Sequence, residues 1–203
     1  MKIPSKYLEQ VVDQLAILPG VGKRTALRLA LQILKKSPDE IERFAQAFLE
    51  LKDHLKKCKS CGNVSDLDYC GICADPNRDQ SMICVVEDVR DVMAIEETSS
   101  FKGVYQVLGG IISPMDGIGP QDLNVESLLQ KMESGKVNEV IFALSATMEG
   151  DTTNFYLYKK LKPYNIKVTT LSRGVSVGAE LHYADGITLG RSILNRMPFK
   201  VSH

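Results

Sequence analysis

The chain has 203 residues, of which 44% are hydrophobic, and its 25 Lys and Arg residues balance 25 Asp and Glu residues. This composition supports a full hydrophobic core and argues against a uniformly basic nucleic-acid-binding protein. No stretch approaches the roughly 20 apolar residues of a membrane-spanning helix, and MKIPSKYLEQ at the N-terminus lacks the apolar centre of a signal peptide. We therefore expect a cytoplasmic protein with no membrane partner.

The first predicted elements are two helices joined by a short turn that contains glycine. Apolar residues recur at the spacing of an amphipathic helix at Leu8, Val11, Val12, Leu15 and Leu18. The sequence LPGVGKRTALRLA at 18–30 looks like a phosphate-binding loop. However, a P-loop would need glycine in place of Ile17 and Ser or Thr in place of Arg24, and a dinucleotide-binding turn would need glycine in place of Thr25. We therefore predict a helix, a Gly-x-Gly hairpin and a second helix.

The hairpin has the features of a phosphate site. Gly20 and Gly22 let a ligand approach the backbone, and the first N–H groups of the next helix are unpaired at the positive end of its dipole. Lys23, Arg24 and Arg28 add positive charge. Such a site suits a sugar-phosphate backbone, bound without regard to base sequence. The alternative is a plain turn between packed helices, with cations that are merely solvated.

The distribution of charge favours the nucleic-acid interpretation. Residues 1–60 contain 12 Lys or Arg and 7 Asp or Glu, a net charge of +5, so the remaining residues carry −5. Residues 20–36 contain five cations and no acid. Positive charge concentrated on a glycine hairpin is typical of a module that binds a nucleic-acid backbone.

A third helix is predicted from residue 37 to about Lys57. Ser37 is placed as its N-cap, Pro38 as its first residue and Glu40 as the residue that completes a capping box. One face of this helix is apolar, which predicts a buried stripe at Ile41, Phe44, Ala45, Phe48, Leu51 and Leu55. We expect this stripe to pack on the first two helices and form a three-helix unit.

Two Cys-x-x-Cys pairs follow, separated by eight residues, at Cys58, Cys61, Cys70 and Cys73. This spacing predicts a tetrahedral four-thiolate zinc site, with glycines 62 and 71 in the turns. Two disulfides or a redox dithiol are the competing interpretation, but disulfides are rare in a reducing compartment. Because four thiolates leave no coordination position open, the zinc is predicted to be structural. A fifth cysteine, Cys84, lies in an apolar run and is expected in the core.

From residue 81 onward, apolar strand segments alternate with helical segments. The predicted strands are SMICVVE, GVYQVL, EVIFAL and IKVTTL, and the predicted helices are DVRDVMAIEETS, VESLLQKME and TTNFYLYKKLK. This alternation predicts a parallel sheet covered on both faces. In such sheets functional residues collect in the loops after the carboxyl ends of the strands.

Three acids lie at these predicted strand ends. Glu87 closes the first strand, and Glu149 and Asp151 lie in the loop SATMEGDTT after the third. If the three carboxylates converge, they could bind Mg²⁺ and support phosphodiester chemistry. The alternative is that Asp151 and its neighbours only cap the following helix. The spacing leaves both interpretations open.

Six blocks, in one order, make the chain similar to the RecR family of bacterial recombination mediator proteins: LPGVGKRTALRLA, the four cysteines, CADPNRDQSMICVVED, GVYQVLGGIISPMDGIGP, EGDTTNFYL and SVGAELHYADGITLGRSI. The resemblance covers nearly the whole chain and implies an α+β multidomain protein. Its implied parts are a helix-hairpin-helix DNA-binding domain (1–57), a four-cysteine zinc finger (58–73), an α/β Toprim domain with a parallel sheet (81–176) and a C-terminal segment for oligomerisation (177–203).

The resemblance also implies a function and partners. It implies a ring-shaped homotetramer that can encircle DNA and a non-enzymatic role in recombinational DNA repair by the RecF pathway. The partners would be RecO, RecF and DNA, either double-stranded or at single-stranded junctions, and the protein would load recombinase at single-stranded gaps. It would therefore lie with the nucleoid in the cytoplasm.

Two departures from the family pattern limit what can be carried over. The family hairpin usually has Pro and then Lys after its second glycine, and Gln before a later Arg. Here those places hold Lys23, Arg24 and Leu27, and of these positions only Arg28 matches outright. The resemblance therefore assigns DNA contact to Arg24 and Arg28, with Lys23 as an added cation. The Toprim pattern of nucleic-acid enzymes is a Glu with an Asp-x-Asp pair, whereas this chain has Glu87 with Glu149-Gly150-Asp151. This replacement weakens the inference of a metal, so Mg²⁺ or a docked protein partner are both candidates.

Two functions from different classes follow. One is a DNA-binding mediator without catalysis, and the other is a Mg²⁺-dependent nuclease or topoisomerase-like Toprim enzyme. The enzyme would need a nucleophile or base. Tyr156 and Tyr158 lie in a predicted amphipathic helix and are expected to be packing residues. The three histidines, at 54, 182 and 203, have no partner spacing. The sequence therefore favours the mediator.

Overall fold

The structure is a computed structural model that describes residues 3–172, 174, 175, 178, 180–196 and 198. The chain divides into two compact units, with the division between Leu55 and Lys56. Each unit is considered by itself below. No helix in the described part of the chain is both long enough and apolar enough to cross a membrane.

The first unit contains three helices, α1 (Lys6–Ala16), α2 (Lys23–Ile33) and α3 (Pro38–His54). The capping box predicted for α3 is confirmed, because the Ser37 side chain accepts from the Glu40 N–H and the Glu40 side chain accepts from the Ser37 N–H. The helix ends at His54, short of the predicted Lys57, because the chain becomes extended at the C-cap.

The core of the first unit is small and lies between α1 and α2. Val12, Ala26 and Ala30 are fully buried, and the two alanines let the helices approach closely. The predicted buried stripe of α3 is wrong, since no residue of α3 is buried and four of the apolar side chains are more than 40% exposed: Phe44, Phe48, Leu51 and Leu55. Amphipathic spacing predicts an apolar face but not what covers it.

The second unit begins with a small two-stranded ribbon and a single helical turn. Strand β1 (Lys56–Lys57) pairs antiparallel with β2 (Val64–Ser65), and α4 (Gly71–Ala74) follows. The four predicted zinc ligands lie in this segment. We call residues 56–74 the cysteine knuckle.

The predicted parallel sheet is confirmed in the rest of this unit. Its strands are β3 (Asp79–Val86), β4 (Gly103–Val107), β5 (Glu139–Phe142) and β6 (Lys167–Thr170), in the order β4-β3-β5-β6, and every neighbouring pair is parallel. The helices are α5 (Val89–Glu97), α6 (Glu126–Glu133), α7 (Met148–Leu161) and α8 (Gly186–Leu194). Short 3₁₀ turns lie at Pro114–Asp116, Pro120–Asp122, Lys162–Tyr164 and Leu181–Tyr183.

Alternate residues of the inner strand β3 belong to two separate apolar clusters, because successive side chains of a strand point to opposite faces of the sheet. Ile83 and Val85 join the larger cluster with residues of α6 and α7, and Cys84 and Val86 join the smaller one with α5. The prediction that Cys84 is a core residue is confirmed, since it is 2% exposed and burial raises the pKa of its thiol to about 12. Of the two tyrosines expected to pack, Tyr156 contacts the larger cluster, whereas Tyr158 is half exposed.

Candidate metal centre and nucleic-acid interface

The four predicted zinc ligands meet in the cysteine knuckle. Cys58 follows β1, Cys61 lies in the next turn, Cys70 is the N-cap of α4 and Cys73 lies within α4. Their sulfur atoms all lie within 4.8 Å of one another. Within the described residues, this is the one group of three or more His, Cys, Asp or Glu side chains that could hold a metal ion.

Backbone N–H groups of the knuckle point at the sulfur atoms. Asn63 N–H donates to Cys61 Sγ over 3.5 Å, and Cys70 N–H donates to Cys58 Sγ over 3.3 Å. A hydrogen bond from Cys61 lowers the pKa of the Cys73 thiol, and the same bond raises the pKa of Cys61. Hydrogen bonds donated to sulfur favour the thiolate, which is the form that binds metal.

The donor set fits a structural zinc ion. All four cysteines are free thiols, and three of them are at least 95% buried. Four sulfur donors at this separation match the closed tetrahedral shell of zinc and leave no position open for water or substrate. The cofactor of this protein is therefore structural zinc.

The knuckle packs against the sheet in the same unit. Val107 N–H, at the end of β4, donates to Cys61 C=O over 2.8 Å. Gly62 has a φ of +76°, and a Cβ atom there would lie 2.5 Å from Asn124 Nδ2 and 2.9 Å from Val107 O. Ile72 packs both among the cysteines and in the smaller apolar cluster of the sheet. The segment that zinc stabilises therefore packs directly on the end of β4 and on the smaller apolar cluster of the sheet.

The three predicted acids do not gather in this way. Glu87 lies after β3, where burial and the neighbouring Asp91 raise the pKa of its carboxyl. Glu149 and Asp151 lie inside the first turn of α7 and not in the loop before it, because the helix begins at Met148 with Thr147 as its N-cap. The carboxylate oxygens of these three acids do not form one group of the kind described for the cysteines. The Mg²⁺ site stays a prediction.

Neighbours of the two α7 acids were not predictable from local sequence. Arg191 of α8 lies 3.9 Å from Asp151, measured from Nη2 to Oδ2. A Cβ atom at Gly150 would lie 2.0 Å from Ser145 O, so glycine between the two acids lets the helix start close to the end of β5. Thr147 had a local signal, since Ser and Thr favour the N-cap position before an acidic first turn.

The predicted hairpin is a tight turn that opens α2. Val21 N–H donates to Leu18 C=O over 3.0 Å, and Gly20 between them has a φ of +79°, as a type II turn with Pro19 before the glycine requires. Gly22 is the N-cap of α2 and offers no side-chain hydrogen bond. The first N–H groups of α2 are thus left without a side-chain cap.

The hairpin cations differ in their surroundings. Arg24 and Arg28 are exposed and one helical turn apart, on the side of α2 away from the buried Ala26 and Ala30. Lys23 Nζ lies 3.3 Å from Asp13 Oδ1 of α1. Neither arginine has a carboxylate within 4.0 Å in the described part of the chain.

Family profiles match the chain along most of its length. The profiles for the RecR helix-hairpin-helix, the RecR four-cysteine zinc finger domain, the Toprim domain and the RecR C-terminal region match residues 8–52, 55–75, 81–172 and 174–197. Fold and site therefore define a protein that joins a DNA-binding helix-hairpin-helix, a structural zinc finger and a Toprim domain.

Curated relatives extend this match to the full length. Recombination protein RecR of Porphyromonas gingivalis is 56% identical over 99% of this chain and 97% of its own length. The proteins of the same name from Flavobacterium psychrophilum and Bacteroides fragilis are 56% and 55% identical, over 100% and 97% of this chain and 98% and 96% of their own lengths. The chain belongs to the RecR family, and its function is DNA binding in recombination.

Proposed function

We propose that this protein is a non-enzymatic recombination mediator that forms a ring-shaped homotetrameric clamp on DNA. In this proposal it acts with RecO and RecF to load recombinase at single-stranded gaps, in the nucleoid of the cytoplasm. Family membership supports the role in recombination. The observation that carries the proposal is the open, cationic hairpin at the start of α2 (Lys23–Ile33).

This hairpin is suited to a phosphate backbone. Its helix start has open N–H groups, and a Cβ atom at Gly20 or Gly22 would have no neighbour within 4 Å, so a ligand can reach the backbone. Arg24 and Arg28 stand on the same helix without carboxylate partners among the described residues. Backbone N–H groups at a helix start recognise the charge of a phosphate and not the identity of a base, so we infer contact with phosphates.

A ring would bring several copies of this weak site onto one DNA molecule. One hairpin neutralises few phosphates, but several hairpins on one assembly bind DNA together more tightly and still let the protein slide along it. Each unit of the chain also exposes apolar side chains that an assembly could cover. These are Phe44, Phe48, Leu51 and Leu55 at α3 and Leu181, Ile187, Ile193 and Leu194 in and before α8. We propose that the C-terminal segment, 177–203, contributes to this oligomerisation.

The acids of the Toprim domain fit partner docking better than catalysis. Glu87 and the pair Glu149 and Asp151 do not form one cluster, and Asp151 lies beside Arg191. The enzyme alternative is tested by incubating the protein and Mg²⁺ with supercoiled and nicked DNA. DNA cleavage or relaxation that is lost in Glu149→Ala would replace the mediator with a Toprim enzyme.

The hairpin is tested by charge reversal. In Arg24→Glu with Arg28→Glu we expect DNA affinity to fall at least about tenfold for every base sequence, with a flatter dependence on salt. The control is Arg43→Glu with Lys52→Glu, which makes the same change in charge on α3. Fluorescence anisotropy against salt concentration measures both variants. Equal losses in the two double variants would mean that net charge, and not the hairpin, binds DNA.

The ring and the partners need their own measurements. Light scattering with and without DNA should give the mass of four chains, and a monomer would remove the clamp from the proposal. Titration with purified RecO and with purified RecF should show binding by each protein. If neither binds, the proposed pathway is wrong even where DNA binding persists.

A further inference from the structure

The zinc centre has an excess of negative charge. One Zn²⁺ and four thiolates carry a net charge of −2, and Cys58, Cys61 and Cys70 are each less than 5% exposed. Two backbone N–H groups donate to these sulfurs, but a dipole does not cancel a full charge. Charge buried in this way is costly unless a cation lies close by.

Lys131 of α6 (Glu126–Glu133) is placed to supply that cation. Its Nζ donates to Gln106 Oε1 over 3.0 Å and to Tyr105 C=O over 3.3 Å, at the end of β4 (Gly103–Val107). The side chain also shares a surface recess of about 190 Å³ with Ser60, which stands between two of the zinc ligands. Lys131 therefore lies between the sheet and the cysteine knuckle.

A polar network around the buried Gln106 fixes the position of this ammonium group. Gln106 is fully buried, and its Nε2 donates to Asn124 C=O over 2.9 Å and to Ser127 Oγ over 2.7 Å. Ser127 in turn donates to Asn124 Oδ1 over 2.7 Å. Because both amide protons of Gln106 are engaged, its Oε1 is held toward Lys131.

The two lysines of the recess differ in how their charge is balanced. Lys59 is exposed and lies 2.6 Å from Asp68 Oδ2, so a carboxylate already balances its charge. Lys131 has no such carboxylate in the described residues.

We propose that Lys131 is a positioning residue of the zinc site, whose fixed positive charge balances the zinc tetrathiolate and couples the knuckle to the sheet domain. Its charge offsets the net negative charge of the zinc-bound centre without contacting the metal. Retention of zinc then depends on a side chain from α6, far from the cysteines in the sequence. The proposal concerns metal affinity and is independent of the proposed clamp function.

Three substitutions separate the charge of Lys131 from its hydrogen bonds. Lys131→Arg keeps the charge, Lys131→Gln keeps a donor but not the charge, and Lys131→Met removes both. Metal affinity is measured by Co²⁺ titration of the apoprotein and by Zn²⁺ competition with a chelator. We expect Lys131→Gln to lose about 10- to 100-fold in affinity, as for other residues that support metal ligands, and Lys131→Arg to keep most of the affinity. The Co²⁺ absorption bands should keep the shape of a four-sulfur site in every variant.

The matched control is Lys59→Gln, which removes the other lysine of the recess and should leave metal affinity within about threefold of the parent. Urea unfolding of the metal-free proteins separates metal binding from general stability. If Lys131→Gln binds Co²⁺ and Zn²⁺ like the parent, the proposal is wrong. It is also wrong if Lys131→Gln weakens the metal-free protein as much as the zinc-bound protein, because Lys131 would then serve only the hydrogen-bond network. If Lys131→Met does not fold, comparison of Lys131→Gln with Lys131→Arg still tests whether the positive charge supports metal binding.

Discussion

Two turns of this protein contain glycine, but the space beside the glycine is open in one turn and filled by other atoms in the other. At the hairpin before α2 (residues 18–22), a Cβ atom on Gly20 or Gly22 would meet nothing within 4 Å. At the cysteine knuckle (residues 56–74), a Cβ atom on Gly62 would collide with Asn124 and with Val107 O. Packing therefore explains the glycine of the knuckle but not the second glycine of the hairpin.

The contrast separates a turn that serves the fold from a turn that is open to a ligand. The knuckle is held by buried sulfur atoms, by the Val107–Cys61 hydrogen bond and by zinc. The hairpin is exposed, and its arginines are exposed beside it. Glycine at position 22 suits the N-cap of α2 and also leaves the helix start open to the close approach of another molecule. Substitutions in the two turns should therefore change different properties.

Loss of a zinc ligand should have the largest effect. Structural zinc contributes roughly 10 kcal/mol or more of binding free energy, and three thiolates cannot complete the tetrahedral shell. In Cys58→Ser we expect loss of bound zinc and a large fall in the unfolding temperature of the second unit. Metal analysis and calorimetry with and without chelator measure these changes. A metal-free variant that melts like the parent would show that zinc does not hold the knuckle.

Gly62→Ala should have the next largest effect, about 2–4 kcal/mol of unfolding free energy, because the new methyl group must displace Asn124 and the end of β4. Alanine is also strained at a φ of +76°. Gly71→Ala is the matched control, because it lies in the same knuckle without a positive φ and an added Cβ there would have no neighbour within 4 Å. Urea unfolding of the zinc-bound proteins measures both. Equal stability of the two variants would mean that the knuckle is not packed against the sheet.

Features set by residues close together in the sequence could be predicted, whereas contacts between distant segments could not. Cysteine spacing, the capping box at Ser37 and the strand alternation are local patterns, and each is confirmed by the structure. Contacts between distant segments leave no local pattern, so the Gly62–Asn124 approach and the Lys131–Gln106 pair could not be predicted. The predicted buried stripe of α3 is wrong because its spacing identifies an apolar face without identifying a neighbour. The predicted loop position of the acids is wrong because α7 already begins at Met148, before both of them.

The hairpin cations should differ in their effect on DNA binding. Arg28 is exposed without a carboxylate within 4.0 Å in the described residues, whereas Lys23 is paired with Asp13. In Arg28→Gln we expect the slope of log affinity against log salt to fall by about 1, because one ion pair with a phosphate is removed. In Lys23→Gln we expect a smaller change, because Asp13 already neutralises part of its charge. Anisotropy titrations at several salt concentrations measure both slopes. A larger effect at Lys23 would show that DNA displaces Asp13.

Gly22→Ala should have the smallest effect on stability and still weaken DNA binding. Its φ of −77° suits alanine and the space around it is open, so the unfolding free energy should fall by only about 1 kcal/mol, because alanine is a weaker N-cap than glycine. The methyl group would stand where a phosphate approaches the first N–H groups of α2, so affinity should fall several-fold. Gly71→Ala again serves as the control, with unchanged DNA affinity. If Gly22→Ala binds DNA like the parent, the open helix start does not contact phosphate, and only the arginines would remain as the proposed contacts.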